Sequence, residues 1–95
     1  MRNYLTYFTS RVRDELDLII ESLCSILDPS YTDIDSLAEK IIDIFLNNFD
    51  ADDFYMEYNI DVSNSFITAL YKTLQYDDDT NAFIDYIYSK VNQLL

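Results

Sequence analysis

The chain has 95 residues, a formal net charge of -12 at pH 7 and a hydrophobic content of 49%, with nine tyrosines and six phenylalanines. This aromatic content excludes the intrinsic disorder that often accompanies strong acidity, because disordered segments are poor in aromatic and branched side chains. The length suits one core, so we expect residues 1–95 to form a single acidic helical domain. Glycine is absent, which disfavours tight hairpin turns, and we predict an all-α fold, a compact bundle of four to five helices.

Apolar residues recur at three- and four-residue steps in the N-terminal third of the chain, a pattern typical of one face of an amphipathic helix. The spacing predicts a first helix over about 3–27. The pair Asp28-Pro29 ends it, because the residue before a proline avoids the α region. A second helix is expected to start at Thr32 or Asp33, where Thr32 has the spacing of a capping box, and to run to about residue 46.

The remaining helices are predicted from capping residues and apolar spacing. A short third helix opens at Asp50, whose carboxylate can cap its positive N-terminal end. A fourth is capped by Asp61 or by Ser63. The connector 76–80 then precedes a last helix over about 81–94. Each segment contributes apolar residues to a common core.

The residue types that most catalytic and metal sites require are missing. The chain has no histidine, which excludes imidazole-based catalysis and His-ligated metals, and no glycine for a phosphate-binding loop. An EF-hand-like spacing begins at Asp77, but Ala82 replaces its glycine and Tyr88 replaces its bidentate glutamate. We therefore expect no enzymatic activity, no cofactor and no metal site.

The cellular location follows from cysteine use and hydropathy. Cys24 is the only cysteine, so no intramolecular disulfide can form, and its place near the apolar stripe of the first helix is ordinary for a buried cysteine. No apolar run approaches the roughly 18 residues that a membrane span needs. We expect a cytoplasmic protein that does not enter a membrane.

Acidic residues are concentrated in the first two thirds of the chain. Between Asp14 and Asp61 there are fourteen carboxylates and one basic residue, Lys40, which together give -13. The solubility of a small domain requires a net charge of only about 2 to 8 in magnitude. An excess this large repels nucleic acid and anionic lipid and attracts proteins that bind a phosphate backbone. We interpret the segment as a protein-binding surface.

Three of these acids, Asp35, Glu39 and Asp43, recur at four-residue steps and are expected along one edge of the second helix. Like charges so placed cost about a few tenths of a kcal/mol per pair, with no structural benefit. Duplex DNA carries one negative charge per about 1.7 Å of axis, so thirteen charges correspond to roughly 22 Å of duplex. We predict that the protein imitates duplex phosphates and binds a basic DNA-binding protein, without binding nucleic acid itself.

The predicted partner-binding residues are acids placed off the apolar faces: Asp14, Asp17, Glu21, Asp33, Asp35, Glu39, Asp43, Asp50, Asp52, Asp53, Glu57 and Asp61. Tyrosines interleaved with them are candidate anchors at the interface: Tyr31, Tyr55, Tyr58 and Tyr76. Because binding would be spread over many charges, any single acid is expected to matter little.

Two stretches resemble a known family. Residues 32–41 (TDIDSLAEKI) form an acidic helix start, and residues 60–71 lead towards a C-terminal helix with its own Tyr and Asp. In these features, over residues 12–95, the chain resembles the Ocr-like phage antirestriction DNA-mimic proteins. The resemblance implies an inhibitor that occupies the DNA groove of a host defence enzyme, of antirestriction or anti-CRISPR type, often as a homodimer in the host cytoplasm. The chain departs from the family in its basic start, with Arg2, Arg11 and Arg13.

A different class of function is also compatible with the composition. An acidic helical adaptor or antitoxin-like module would bind its partner through an apolar or tyrosine patch and use charge only at the rim. The arrangement of the carboxylates distinguishes the two, because two roughly parallel rows of acids favour mimicry and an even scatter around an exposed apolar patch favours the adaptor.

Overall fold

The computed structural model describes residues 5–27 and 33–94, and these form five α-helices. The helices are α1 (Ser10–Leu27), α2 (Ile34–Leu46), α3 (Ala51–Tyr58), α4 (Asn64–Leu74) and α5 (Asp77–Leu94). No strand occurs in these two ranges. The predicted all-α bundle of four to five helices is confirmed.

The N-terminal segment differs from the predicted helix. α1 begins at Ser10, not near residue 3, and the backbone before it forms a turn in which the Phe8 amide donates to the Leu5 carbonyl at 3.0 Å. The first helical bond joins the Arg13 amide to the Thr9 carbonyl at 2.8 Å. Leu5 and Phe8 are nevertheless buried. A turn brings residues three apart to one side much as a helix does. The apolar spacing of Leu5 and Phe8 therefore does not distinguish a turn from a helix.

Side-chain caps fix the start of α2 and α4. Asp33 is the N-cap of α2, because its carboxylate accepts the Ser36 amide at 2.7 Å. The alternative start at Thr32 lies outside the described residues. Ser63 is the N-cap of α4, and the Glu15 carboxylate of α1 accepts hydrogen bonds from the Ser63 amide at 2.7 Å and its hydroxyl at 2.6 Å. One acid of the charged segment is thus used to join two helices.

Asparagine occupies two positions with the left-handed backbone conformation, where glycine is common in other proteins. Asn48, between α2 and α3, has φ 52°, and Asn59, the C-cap of α3, has φ 59°. Asparagine tolerates this region better than other side chains do. The third helix is capped as predicted, since Asp50 accepts the amides of Asp52 and Asp53.

The last helix is longer than the sequence predicts. The predicted connector covers 76–80, but residues 77–80 form the first turn of α5. In this turn the Thr80 amide donates to the Tyr76 carbonyl at 2.9 Å. The predicted start at residue 81 is therefore wrong. Three aspartates in this turn lie at the positive end of the helix macrodipole, which stabilises negative charge there. The Thr6 hydroxyl also donates to Asp79 at 3.1 Å and holds the N-terminal turn beside α5.

Phe45 of α2 lies at the centre of the core and is 0% exposed. Its ring centroid is 5.6 Å from Phe49, 6.2 Å from Phe54, 5.9 Å from Phe66 and 5.7 Å from Phe83. These rings come from α2, the α2–α3 connection, α3, α4 and α5. Phe54 is the single buried residue of α3, so this cluster is what attaches that short helix.

We expect Phe45→Ala to lower the free energy of unfolding by about 3–5 kcal/mol, because the truncation removes apolar burial and leaves a cavity. Urea denaturation followed by circular dichroism measures the loss. Leu18→Ala is the control, since Leu18 is 63% exposed and its truncation should change stability by less than about 0.5 kcal/mol. Equal losses in the two variants would contradict this account of the core.

Candidate acidic interface

The α2 row consists of Asp35, Glu39 and Asp43, all exposed on α2. Their Cα atoms span eight residues, or about 12 Å of helix axis at about 1.5 Å per residue. One DNA strand presents three to four phosphates over about the same length. None of the three carboxylates forms an ion pair within residues 5–27 and 33–94. The row therefore presents one carboxylate without an ion pair per about 6 Å of helix axis, a little over half the charge density of one phosphate strand.

Two tyrosines place α5 between the acids of α1 and those of α2. The Tyr86 hydroxyl donates a hydrogen bond to the Asp17 carboxylate of α1, and the Tyr88 hydroxyl interacts with the Glu39 carboxylate of α2. Residues two apart on a helix differ by about 200° in direction, so these side chains leave opposite flanks of α5. The acids of α1 and the α2 row consequently lie on the two flanks of this helix.

The outer side of α5 adds carboxylates that the sequence prediction missed. Asp78 and Asp85 are exposed and seven residues apart, so they lie on one side of the helix, opposite the buried Phe83 and Ile87. Both fall in the C-terminal third, whose small net charge does not mark it as part of the acidic segment. Their spacing away from the apolar stripe was the signal that would have found them.

The side of α2 that carries Lys40 faces α3. Lys40 lines a groove of about 200 Å³ together with Asp53 and Glu57 of α3. These two acids are exposed and lie four residues apart on one edge of α3. Lys40 is half-buried and is the only basic residue between 14 and 61. The acids on this flank are therefore only partly compensated.

We define the acidic face by the exposed carboxylates of three neighbouring helices, which are Asp78 and Asp85 on α5, Asp35, Glu39 and Asp43 on α2, and Asp53 and Glu57 on α3. At one charge per about 1.7 Å, these carboxylates correspond to roughly 12 Å of duplex, which fits within one side of a molecule that measures 33 × 32 × 22 Å. Carboxylates accept the same bidentate hydrogen bonds from arginine that phosphates accept.

The α1 acids are in a different environment. Asp14 and Glu21 are exposed, but Asp17 is half-buried and also lies 3.5 Å from the Lys90 ammonium group. Arg13 is half-buried nearby, and its Nε atom is buried without a hydrogen-bond partner among the described residues. Two cations thus offset much of the negative charge on this flank.

Four of the predicted binding residues remain. Asp33 and Asp50 are exposed but act as N-caps, so their carboxylates already accept backbone amides. Asp52 and Asp61 lie together at a second groove, between α3 and α4, which also contains Met56. Of the twelve predicted acids, three therefore act in helix caps or internal bonds, five lie on the acidic face, two line this groove, and Asp14 and Glu21 are exposed on α1.

The candidate tyrosine anchors are also divided. Tyr55 is 45% exposed and Tyr76 is 53% exposed. Tyr58 is half-buried, with its ring 5.3 Å from Phe54, and Tyr31 lies outside the described residues. Tyr76 stacks on Tyr7 at 6.3 Å. Of these four tyrosines, only Tyr55 both has a large exposed surface among the described residues and adjoins acids of segment 14–61.

The tyrosines beside carboxylates have raised pKa values. Partial burial, followed by the Glu39 and Asp35 carboxylates, raises the pKa of Tyr88. Burial, the hydrogen bond to Asp17 and the charge of Asp17 raise the pKa of Tyr86, against a lowering effect of Arg13. Burial, Tyr76 and Asp79 raise the pKa of Tyr7. All three hydroxyl groups therefore stay protonated, and able to donate to carboxylates, at neutral pH.

Among the residues that the structure describes, no group of three or more acids or cysteines is placed to hold a metal ion. Over the same ranges, none of the helices has both the length and the apolar character needed to cross a bilayer.

No protein-family model matches the chain, and comparisons with curated proteins and with solved structures also gave no match. The resemblance to the Ocr-like antirestriction proteins accordingly stays a prediction.

We expect Asp43→Asn to stabilise the protein by about a few tenths of a kcal/mol. Asp43 lies in the last turn of α2, at the negative end of the macrodipole, and next to Glu39, so its charge opposes helix formation. Asp33→Ala should cost about 1 kcal/mol because it removes the N-cap, whereas Asp33→Asn should retain most of the stability, since asparagine is also a good cap. Thermal unfolding measures all three. A stabilising Asp33→Ala would refute the capping role.

We expect stability to fall as the pH rises above about 10, and Tyr86→Phe to reduce this fall. Tyr86 in the unfolded chain loses its proton near the ordinary value of 10.0, while the folded protein retains it to higher pH. The unfolded state then binds fewer protons, so the contribution of Tyr86 is complete below pH 10 and is lost above it. Urea titrations between pH 8 and about 11 measure the slope.

The matched control for this titration is Tyr55→Phe, which removes a hydroxyl from an exposed tyrosine and leaves the Tyr86–Asp17 hydrogen bond intact. A pH slope that is the same in Tyr86→Phe and in Tyr55→Phe would contradict the assignment to Tyr86.

Proposed function

We propose that the protein is a DNA mimic that inhibits a DNA-handling protein, of antirestriction or anti-CRISPR type, by occupying its DNA-binding groove. The observation that carries the proposal is the α2 row, in which three exposed carboxylates follow one helix edge about 6 Å apart, with no compensating ion pair among the described residues. Like charges along one helix edge destabilise α2. Binding of an external basic partner explains why they are present.

The surroundings of the row support the proposal. The α2 row lies beside α5, whose Tyr88 hydroxyl interacts with Glu39, and the groove at Lys40 brings the Asp53–Glu57 edge of α3 next to α2, so the acidic surface extends beyond one helix. A broad field of one sign steers an oppositely charged groove into contact and raises its association rate. Arginine and lysine side chains that hold duplex phosphates can form the same charge-assisted hydrogen bonds with these carboxylates.

One observation favours a second candidate function. Met56 is 83% exposed and Tyr55 is 45% exposed on α3, which forms an apolar area with acids at its edge. That arrangement suits an acidic adaptor or antitoxin-like module that binds through an apolar patch. The two functions predict different results when duplex DNA competes for the partner protein. Duplex DNA must displace a DNA mimic, because both occupy the same groove, whereas it need not displace an adaptor.

The first experiment tests competition with DNA. Proteins are captured from a bacterial lysate on the immobilised protein at low salt and eluted with duplex DNA or with polyglutamate at equal charge concentration. We expect duplex DNA to elute DNA-binding proteins more effectively, since their grooves match its geometry. A captured protein that still binds duplex DNA while bound to this chain would refute the proposal.

The second test compares two double variants with the same change in charge. Glu39→Gln with Asp43→Asn removes two charges of the α2 row, and Asp14→Asn with Glu21→Gln removes two from the compensated α1 flank. With exposed pairs worth about 0.2–1 kcal/mol each, any one substitution should weaken binding of an eluted target less than about fivefold. The α2 pair should weaken it more than the α1 pair does.

Five substitutions together, at Asp35, Glu39, Asp43, Asp53 and Glu57, should abolish binding, and the affinity of the unaltered protein should fall steeply with salt. Titrations at several salt concentrations provide the measurement. Loss of all binding on one substitution, without salt dependence, would identify a localised site and contradict the proposed function.

A further inference from the structure

A second surface feature is an open groove of about 550 Å³ between α3 and α4, which we call the Met56 groove. Its apolar lining comes from Tyr55 and Met56 of α3, Val62 of the connection and Ile67 of α4. Val62 and Ile67 are half-buried, whereas Met56 is 83% exposed, the largest exposed fraction among the large hydrophobic residues described. The groove thus has an apolar floor and an apolar wall in contact with solvent.

Nothing in the packing of α3 accounts for Met56. This helix is attached to the core by Phe54, and Met56 points away from the aromatic cluster, as its exposure shows. Methionine has a flexible, polarisable side chain that adapts to different apolar partners, and it is enriched at protein-binding surfaces. An exposed apolar side chain beside other apolar residues marks an interaction site better than a single one does.

The rim of the groove is acidic. Asp52 precedes Met56 by four residues and therefore lies beside it on the same edge of α3, and Asp61 lines the groove next to Val62. None of the described lining residues is basic. A ligand that fits must combine an apolar side chain with positive charge on either side of it.

The charge of the rim decides among possible occupants. A second copy of this chain would bring the same carboxylates together, since both copies have acidic rims and a net charge of -12. An anionic lipid surface would be repelled for the same reason. A basic protein segment satisfies both the apolar floor and the acidic rim.

We propose that the Met56 groove binds a basic segment of the target protein, with one leucine- or methionine-sized side chain packed against Met56 and Ile67 and with arginine or lysine side chains paired with Asp52 and Asp61. The proposal rests on the proposed function and adds to it, because duplex DNA offers no such apolar side-chain pocket. The acidic face attracts DNA-binding proteins in general, and the Met56 groove selects among them.

The probe is a pair of synthetic helical peptides of equal length and equal arginine content, of which one carries leucines and the other alanines on the opposite face. We expect the leucine peptide to bind more tightly and Met56→Ser to weaken it about tenfold, with little dependence on salt. Isothermal titration calorimetry measures both affinities. The matched control is Leu18→Ser, which alters a 63% exposed apolar residue on α1 and should leave the affinity unchanged.

A second measurement is independent of affinity. The chain has two methionines, so methyl-labelled methionine gives a Met56 signal that can be assigned with the Met56→Ser variant. The leucine peptide should shift this signal, and the alanine peptide should not. Because Met56 is exposed, its substitution should leave the far-ultraviolet circular dichroism spectrum unchanged, which shows that the variant folds.

The outcomes separate the two proposals. If both peptides bind equally and Met56→Ser has no effect, the groove proposal is overturned, while weaker binding by the Glu39→Gln, Asp43→Asn variant would still support the acidic face. If binding of the leucine peptide depends on Met56 but proteins captured from the lysate still bind duplex DNA while bound to this chain, the groove proposal stands and the DNA-mimic function is contradicted.

Discussion

Burial of the Phe45 ring among the phenylalanines of the other helices is the interaction on which the rest of the structure depends. It holds α2 against α5 and α3 at fixed rotations. With Phe45 and the other apolar residues of α2 buried, the rest of the helix surface points to solvent, and it carries the α2 row, with Asp43 nearly opposite Phe45 and Asp35 towards one flank. The core therefore has to supply the free energy that keeps like charges close together, because those charges oppose folding. A high aromatic content in a strongly acidic chain follows from this requirement.

The carboxylates of this chain fall into two groups: some stabilise the fold, and others are exposed without a structural role. Asp33 and Asp50 cap helices, and Glu15 joins α1 to Ser63 at the start of α4. Their negative charge interacts favourably with backbone amides, so they stabilise the fold. The acids of the α2 row receive no such compensation beyond the hydroxyl group of Tyr88. Total acidity therefore overstates the charge available to a partner, and the acids without structural contacts define the candidate interface more narrowly.

Charge and apolar contact make different contributions to the proposed recognition. A field of one sign acts over about a Debye length and mainly raises the association rate, so it favours many basic grooves alike. An apolar side chain in a groove acts only in contact and mainly slows dissociation. The acidic face and the Met56 groove both involve α3, whose Asp53 and Glu57 belong to the first and whose Asp52 and Met56 belong to the second. One bound protein can contact both surfaces.

The sequence by itself determined the helical class, the cap at Asp50 and the linear order of the acids, because apolar periodicity and capping are local properties of neighbouring residues. It left the start of α2 open between Thr32 and Asp33, and the structure shows Asp33 as the N-cap. The sequence also predicted the wrong start for α1 and α5, since a turn and a helix share the same apolar spacing and an aspartate run suits both a loop and a first helical turn. Only the tertiary structure decided which acids meet. Asp17 is paired with Lys90 of α5, while Glu39 of α2 interacts with the Tyr88 hydroxyl of α5, and both contacts depend on distances between separate helices. Packing of the core fixes such distances, and no local pattern in the chain records them.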